Sequence, residues 1–227
     1  MYWITMNTML ICEELFLLLT KDSGKPESRM SFPVYGLTGA LLTDLLLTGR
    51  VCLTEEHRPH VYIVNPAPTG HPVLDRALEI LPAKDGKSFS SLVSWSKLNP
   101  THHIAESLEA SGIIRIHTGG LFGSLSPTYP TLDPIPEQQL RERIKGALRG
   151  TQPPTGSDVA LLSILQALHV APIVLPSQET GLSRGELKRT IKEMSATSPV
   201  GRAVQRAVDA TTAAIIAATS AAAVATN

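Results

Sequence analysis

Residues 35–50 read YGLTGALLTDLLLTGR. Leucine, alanine, threonine and glycine leave this stretch almost no polar face, and its spacing predicts a helix that is apolar nearly all round. Such a helix belongs at the centre of a core. Gly49 ends it, because glycine adopts the left-handed conformation that closes a helix without a Cβ penalty. The other elements then pack around this leucine-rich axis.

Upstream, EELFLLLTKDSG (13–24) predicts a helix closed by Gly24, with Glu13 and Glu14 in a first turn where they complement the helix dipole. Downstream, RVCLT (50–54) and HVYIV (60–64) predict two short strands joined by the charged link EEHRP (55–59). The stretch PAPTGHPVLDRAL (66–78) then carries the chain into a short helix. Pro72 suits the first helical position, where its missing N–H costs nothing, and His71 falls at the N-cap. A phosphate loop wants more glycines and a lysine followed by Ser or Thr, so the stretch reads as structural punctuation.

Further helices are predicted over 88–98, 101–111, 136–150, 157–171 and 183–196, and a last one from about Val200 with a small-residue seam for close packing. In the 136–150 segment Leu140, Ile144 and Leu148 form an apolar stripe, with Arg141, Lys145 and Arg149 largely off it. Ser157 and Asp158 are expected to cap the following helix, and Ser183 with Glu186 has capping-box spacing. IIRIH (113–117) predicts a strand, and TGGLFGSLSPTYPTLDPIP (118–136) a hairpin tip or exposed loop. The fold class is mainly α, a single globular helical domain over residues 1–227 with a few short strands.

The chain has 227 residues, 43% of them hydrophobic but only 4% aromatic, so the core must be built from Leu, Ile, Val and Ala. Twenty basic residues balance twenty acidic ones, which gives no global pull toward nucleic acid. The first half, 1–113, carries 9 Lys/Arg against 12 Asp/Glu, and the rest carries 11 against 8, so the second half offers the more anion-facing surface. Cys12 and Cys52 make no disulfide framework and are expected as buried free thiols in a reducing cytoplasm. The N-terminus lacks a basic leader region, and Glu13 and Glu14 interrupt its apolar run. The tail TTAAIIAATSAAAVATN (211–227) is too weakly apolar for a membrane span. A soluble or peripheral protein is expected.

No G-x-S-x-G, Cys-x-x-Cys or Walker pattern occurs. His102 and His103 are adjacent and so point to different faces of a helix, a poor metal pair. His57 and His60 with Glu55 and Glu56 read as a hydrated link rather than a metal site. Asp75, Arg76 and Glu79 read as helix surface. SLEASGIIRIHTGG (107–120) has the helix–strand–turn order of a winged helix, but its helix carries Glu106 and Glu109 and no Lys or Arg, against phosphate contact. No enzyme activity, cofactor, metal or nucleic-acid partner is expected. Arg184, Lys188, Arg189 and Lys192 form a basic run that reads as a solvated face, with anionic lipid as the sharper alternative.

Four segments in order, EELFLLL, GLTGALLTDLLLTGRVCL, PTGHPVLDRAL and SLEASGIIRIHTGGLFG…TYPTLD, together resemble the Golgi phosphoprotein 3 family, whose pattern at the third is close to P-T-G-D-x-L-L-D-x-A-L. The resemblance runs from about Leu10 to Leu168 and more loosely to the end, and the short N-terminus is similar to bacterial members. It implies a mainly helical globule with a protruding β-hairpin, and adaptors rather than enzymes. Eukaryotic members bind phosphatidylinositol 4-phosphate, glycosyltransferase tails and coat proteins. The family's headgroup pocket, a Trp and three basic residues, maps onto Arg29, Thr38, Leu98 and Thr101, with His102 and His103 beside the last pair. Thr does not supply the bidentate donors of Arg, so the resemblance implies charge-driven, poorly selective binding to an anionic membrane surface. The arginine-rich leader of eukaryotic members is missing, so coat-protein binding does not transfer. Leu121 and Phe122 occupy the hairpin tip, to insert into a membrane, to pack on another protein or a second copy, or to fold back on the core. The functional expectation is a cytoplasmic adaptor, peripheral on the inner face of a membrane, with a soluble protein-interaction module as the alternative.

Overall fold

Two apolar helices set the centre of the molecule. The structure, a computed structural model, describes residues 9–27, 33–118, 126–197 and 202–225. In it α1 (Ile11–Leu18) packs against α2 (Pro33–Leu47). Every residue of α2 from Gly36 to Leu45 is buried, as a helix without a polar face requires. Gly49, at φ +67°, closes it: the Gly49 N–H donates to Leu46 O at 3.0 Å and the Arg50 N–H to Leu45 O at 2.8 Å.

α1 is shorter than its sequence suggests. It stops at Leu18 with Leu19 as a right-handed cap, because the polar residues that follow have no core to enter. Gly24 (φ +78°) instead serves a later turn, packed so closely on the backbone of Tyr129 and Pro130 that a Cβ has no room.

β1 (Val51–Leu53) and β2 (Val61–Ile63) pair antiparallel, with Val51 opposite Ile63 and Leu53 opposite Val61. The two-residue alternation buries Val51 and Val61 and turns Cys52 outward, so only Cys12 is the buried thiol expected of both. α3 (Pro72–Ile80) begins with His71 at the N-cap and Pro72 at the first position. The 88–98 segment divides into α4 (Phe89–Val93) and a 3-10 turn (Ser96–Leu98), because Trp95 between them is extended. α5 (Thr101–Ala110) ends at Gly112, φ +73°.

Residues 113–117 form no regular strand. They run antiparallel to 128–132 through the isolated bridges Ile114–Thr131 and His117–Thr128, with the Arg115 N–H donating to Pro130 O at 3.0 Å and the Leu132 N–H to Ile113 O at 2.8 Å. Pro130, opposite Arg115, has no N–H to return across the pair, which interrupts the ladder, while the Tyr129 and Thr131 N–H groups face the other way and donate at 3.0 Å to Gly24 and Asp22. The hairpin tip with Leu121 and Phe122 lies outside the described residues, as does Arg29.

The second half is helical: α6 (Ile135–Leu148), α7 (Gly156–Ala167), the single turns α8 (Ala171–Val174) and α9 (Ser177–Thr180), α10 (Arg184–Thr197) and α11 (Arg202–Ala225). α7 is capped by Thr155 rather than by Ser157 and Asp158. The Thr155 hydroxyl accepts the Asp158 N–H at 3.2 Å, and the Asp158 carboxylate accepts the Thr155 N–H at 2.9 Å. The Ser183–Glu186 box forms as read, with bonds of 2.8 and 3.3 Å. α11 lies across α2, where Thr211 rests on Gly39 so closely that a Cβ on Gly39 would collide with its methyl. One apolar cluster runs from Ile11 to Ile215. Among the described residues no helix is long and apolar enough to cross a membrane.

Candidate functional site

The loop before α3 is built by Asp75. Its carboxylate accepts the Thr69 N–H at 2.6 Å, the Thr69 hydroxyl at 2.7 Å and the Gly70 N–H at 3.2 Å. Slight burial pushes this carboxyl up, but those donors outweigh it and hold it below the usual range. The loop's donors are thus spent on its own first-turn aspartate, which fits punctuation rather than anion capture. Arg76 and Glu79 pair at 2.7 Å on the open surface, as read.

Of the positions matched to the family's headgroup pocket, the described ones, Thr38, Leu98 and Thr101, do not converge on solvent. Thr38 is fully buried in α2 and its hydroxyl donates to Val34 O at 2.8 Å. Leu98 is a core residue at the end of the 3-10 turn. The Thr101 hydroxyl donates to Asn99 Oδ1 at 2.6 Å. His102 and His103, expected to diverge, both lean on one carboxylate: His102 Nε2 lies 3.2 Å from Glu106 Oε1 and His103 Nδ1 3.0 Å from Oε2. The i+4 and i+3 spacings to Glu106 bring them together. No group of three or more His, Cys, Asp or Glu suited to a metal ion occurs among the described residues, His57 and His60 included.

What does converge beside these positions is an aromatic cleft of about 360 Å³ between the start of α2 and the α4–α5 connection. Tyr35 and Trp95 line it, with Val34, Val93 and Asn99. Both rings are half-buried, and Lys84 Nζ sits 5.6 Å from the centre of the Trp95 ring, a cation–π placement. Sequence reasoning passed over this pair. The available signal was scarcity, since Trp95 is one of two tryptophans in the chain.

A buried charge seam was equally invisible. Glu13 and Glu14, placed in a first turn by their sequence, are 3% exposed. The Glu14 carboxylate accepts from Arg143 Nη2 at 2.9 Å, and Arg143 Nε donates to Asp158 at 2.8 Å. Burial pushes Glu14 up to about 7 despite that guanidinium. Asp44 accepts the N–H groups of Ile11 and Cys12 at 3.0 and 3.1 Å, which fixes α1 on α2. Burial pushes it, too, up to about 7, although those N–H groups favour its ionised form.

Glu13 lies between Ser107, whose hydroxyl donates to it at 2.7 Å, and His71 Nε2 at 3.4 Å. A cleft of about 690 Å³ opens beside this trio. The trio is no catalytic triad, because the carboxylate rather than the imidazole occupies the middle and the serine proton points at an acceptor that is already an anion. Contact with Glu13 raises the His71 pKa above its ordinary value.

A family model for Golgi phosphoprotein 3 (GPP34) matches residues 11–211. No curated protein matches the chain. The matched span takes in α1, the buried α2, the Asp75 loop, the aromatic cleft and the contact of α11 with α2, and the chain belongs to the Golgi phosphoprotein 3 (GPP34) family.

Proposed function

We propose that this protein is a non-enzymatic adaptor that docks peripherally on the cytoplasmic face of an anionic membrane through the cleft of Tyr35 and Trp95. The observation that carries this reading is that cleft, which adjoins the family-matched headgroup positions and stacks Lys84 on Trp95. An amphipathic ring beside a cation suits the boundary between headgroups and acyl chains. The burial of Thr38 and Leu98 supports attraction by charge rather than selection of one phosphoinositide. The order of Ser107, Glu13 and His71 does not suit that trio for hydrolytic chemistry.

Co-sedimentation with phosphatidylcholine vesicles containing either phosphatidylserine or phosphatidylinositol 4-phosphate tests the reading. Both anionic vesicles should bind, more weakly as salt shortens the screening length to ~8–10 Å. Trp95→Ala should reduce the bound fraction. Replacing Leu121 and Phe122 together by Ser should reduce it further if the hairpin tip inserts. Binding confined to phosphatidylinositol 4-phosphate and resistant to salt would mean that other residues read the headgroup. No binding to either vesicle would leave the soluble interaction module.

A further inference from the structure

We propose that the groove where α7, α10 and α11 meet binds the chain of a fatty-acid-type amphiphile, with its carboxylate held by Lys188 and Lys192. This site is separate from the Tyr35–Trp95 cleft and does not rest on the reading given for it.

α10 and α11 each pack on α7, and the space at their meeting is about 340 Å³. That is near the lower end of small-molecule sites, roughly 300–1,000 Å³. Its walls are apolar: Ala167, Ile191 and Val208 are buried, while Ile216 at the mouth is 50% exposed. Three of its polar groups already have partners. Ser163 and Ser195 share a hydrogen bond of 2.8 Å, and the Asp209 carboxylate accepts from the Gln205 amide at 3.0 Å.

The rim is cationic. Lys188 and Lys192 lie one turn apart on the same face of α10, both exposed. Among the described residues no carboxylate lies within ion-pair distance of either ammonium, whereas Arg189 on the same helix has Glu193 at 3.8 Å. An apolar slot under two cations with no ion-pair partner among the described residues is complementary to one chain with an anionic head, the two ammonium charges outweighing the single Asp209 carboxylate in the lining. A peptide helix is the poorer occupant, because it needs anchors over two turns and a trough wide enough for a cylinder of ~10 Å.

His169 borders the same groove and is the one non-glycine residue with positive φ (+59°) among the described residues. It takes the left-handed position that ends α7, with the Val170 N–H donating to Leu165 O at 3.1 Å. Glycine fills that position with less strain, so histidine there sets an imidazole at the rim at a backbone cost.

Calorimetric titration of the full chain with monomeric octanoate, decanoate and laurate, free of vesicles, tests the proposal. Affinity should rise about fourfold per added methylene until the groove is full. Decyltrimethylammonium should bind far more weakly than decanoate. Lys188→Gln with Lys192→Gln should weaken laurate on the order of tenfold without lowering the melting temperature, since both side chains are exposed. Thr212→Trp should block all three acids. Equal binding of cation and anion, no dependence on chain length, or no effect of the double lysine change overturns the proposal. So does an acidic amphipathic peptide that binds more tightly than laurate, which would assign the groove to a protein partner.

Discussion

Around α1 the molecule buries charge; along α10 it displays it. The side chains of Glu14 and Asp158 are 4% and 2% exposed, and the Arg143 guanidinium is bound to both. Lys188 and Lys192 stand in water with no such partner among the described residues. Desolvation is the difference. A charge taken out of water must be matched by an opposite charge or by oriented N–H groups, so the α1 seam is closed and its role is to join α1, α6 and α7. An exposed ammonium keeps its hydration and needs no internal match, so it remains free for an external one.

The largest expected effect comes from breaking the closed seam. Arg143→Met leaves Glu14 and Asp158 without their cation and should cost about 3 kcal/mol in a urea titration. That is the low end for a buried pair, because the Arg143 side chain is 35% exposed. A cost within a few tenths of a kcal/mol would show that the two acids are neutral in the folded protein.

The pH dependence follows from the same burial. Glu14 and Asp44 are raised from 4.5 and 3.8 to about 7, so the folded state binds protons more tightly than the unfolded chain. Their contribution is fully present below pH 4 and is lost as pH rises through 7. His71, also raised, adds in the same direction above its ordinary 6.5. Glu13, whose contacts with His71 and Ser107 outweigh the upward push of burial and lower its pKa, opposes them at the acid end. Chemical denaturation between pH 5 and 8 should therefore show stability falling by on the order of 5 kcal/mol, about half from each carboxylate. Glu14→Gln should flatten that slope, and a slope of opposite sign would place the seam's carboxylates in water.

Gly39→Ala probes the uncharged crossing of α2 and α11, where the new methyl meets Thr211. Overpacking should cost about 1–3 kcal/mol, partly offset by the better helix propensity of alanine. Gly36→Ala is the comparison, since its nearest neighbour is the movable end of Leu168 at 2.7 Å. The melting temperature should fall more for Gly39→Ala than for Gly36→Ala. The smallest effect belongs to the displayed charge: Lys188→Gln and Lys192→Gln should each change stability by under about 0.5 kcal/mol. A larger loss in thermal melting would mean that the lysines are structural.

Much of the secondary structure was legible because short-range rules govern it. The start of α3 at Pro72, the Ser183–Glu186 box and the helix end at Gly49 each depend on residues within about one turn. The interruption of the strand at 113–117 was not legible, because it depends on which residue falls opposite Arg115, and that residue is Pro130, which has no N–H to return. The site was less legible still. Thr38 and Leu98 hold the family-matched places but face inward, while Tyr35 and Trp95 come together from separate segments.

By itself the sequence determined the mainly helical character, the central place of the apolar α2, the local caps and the family. These follow from periodicity and short spacings, in which neighbours along the chain are neighbours in space. Only the tertiary structure decided that Glu14 would meet Arg143 across 129 residues, that Ser107 would reach Glu13 across 94, and that Cys52 would face water. A helix pattern states that a face will be buried, but not which face of which partner covers it. That choice rests on the fit of α1 between α2, α6 and α7, and with it on where each buried charge finds its match.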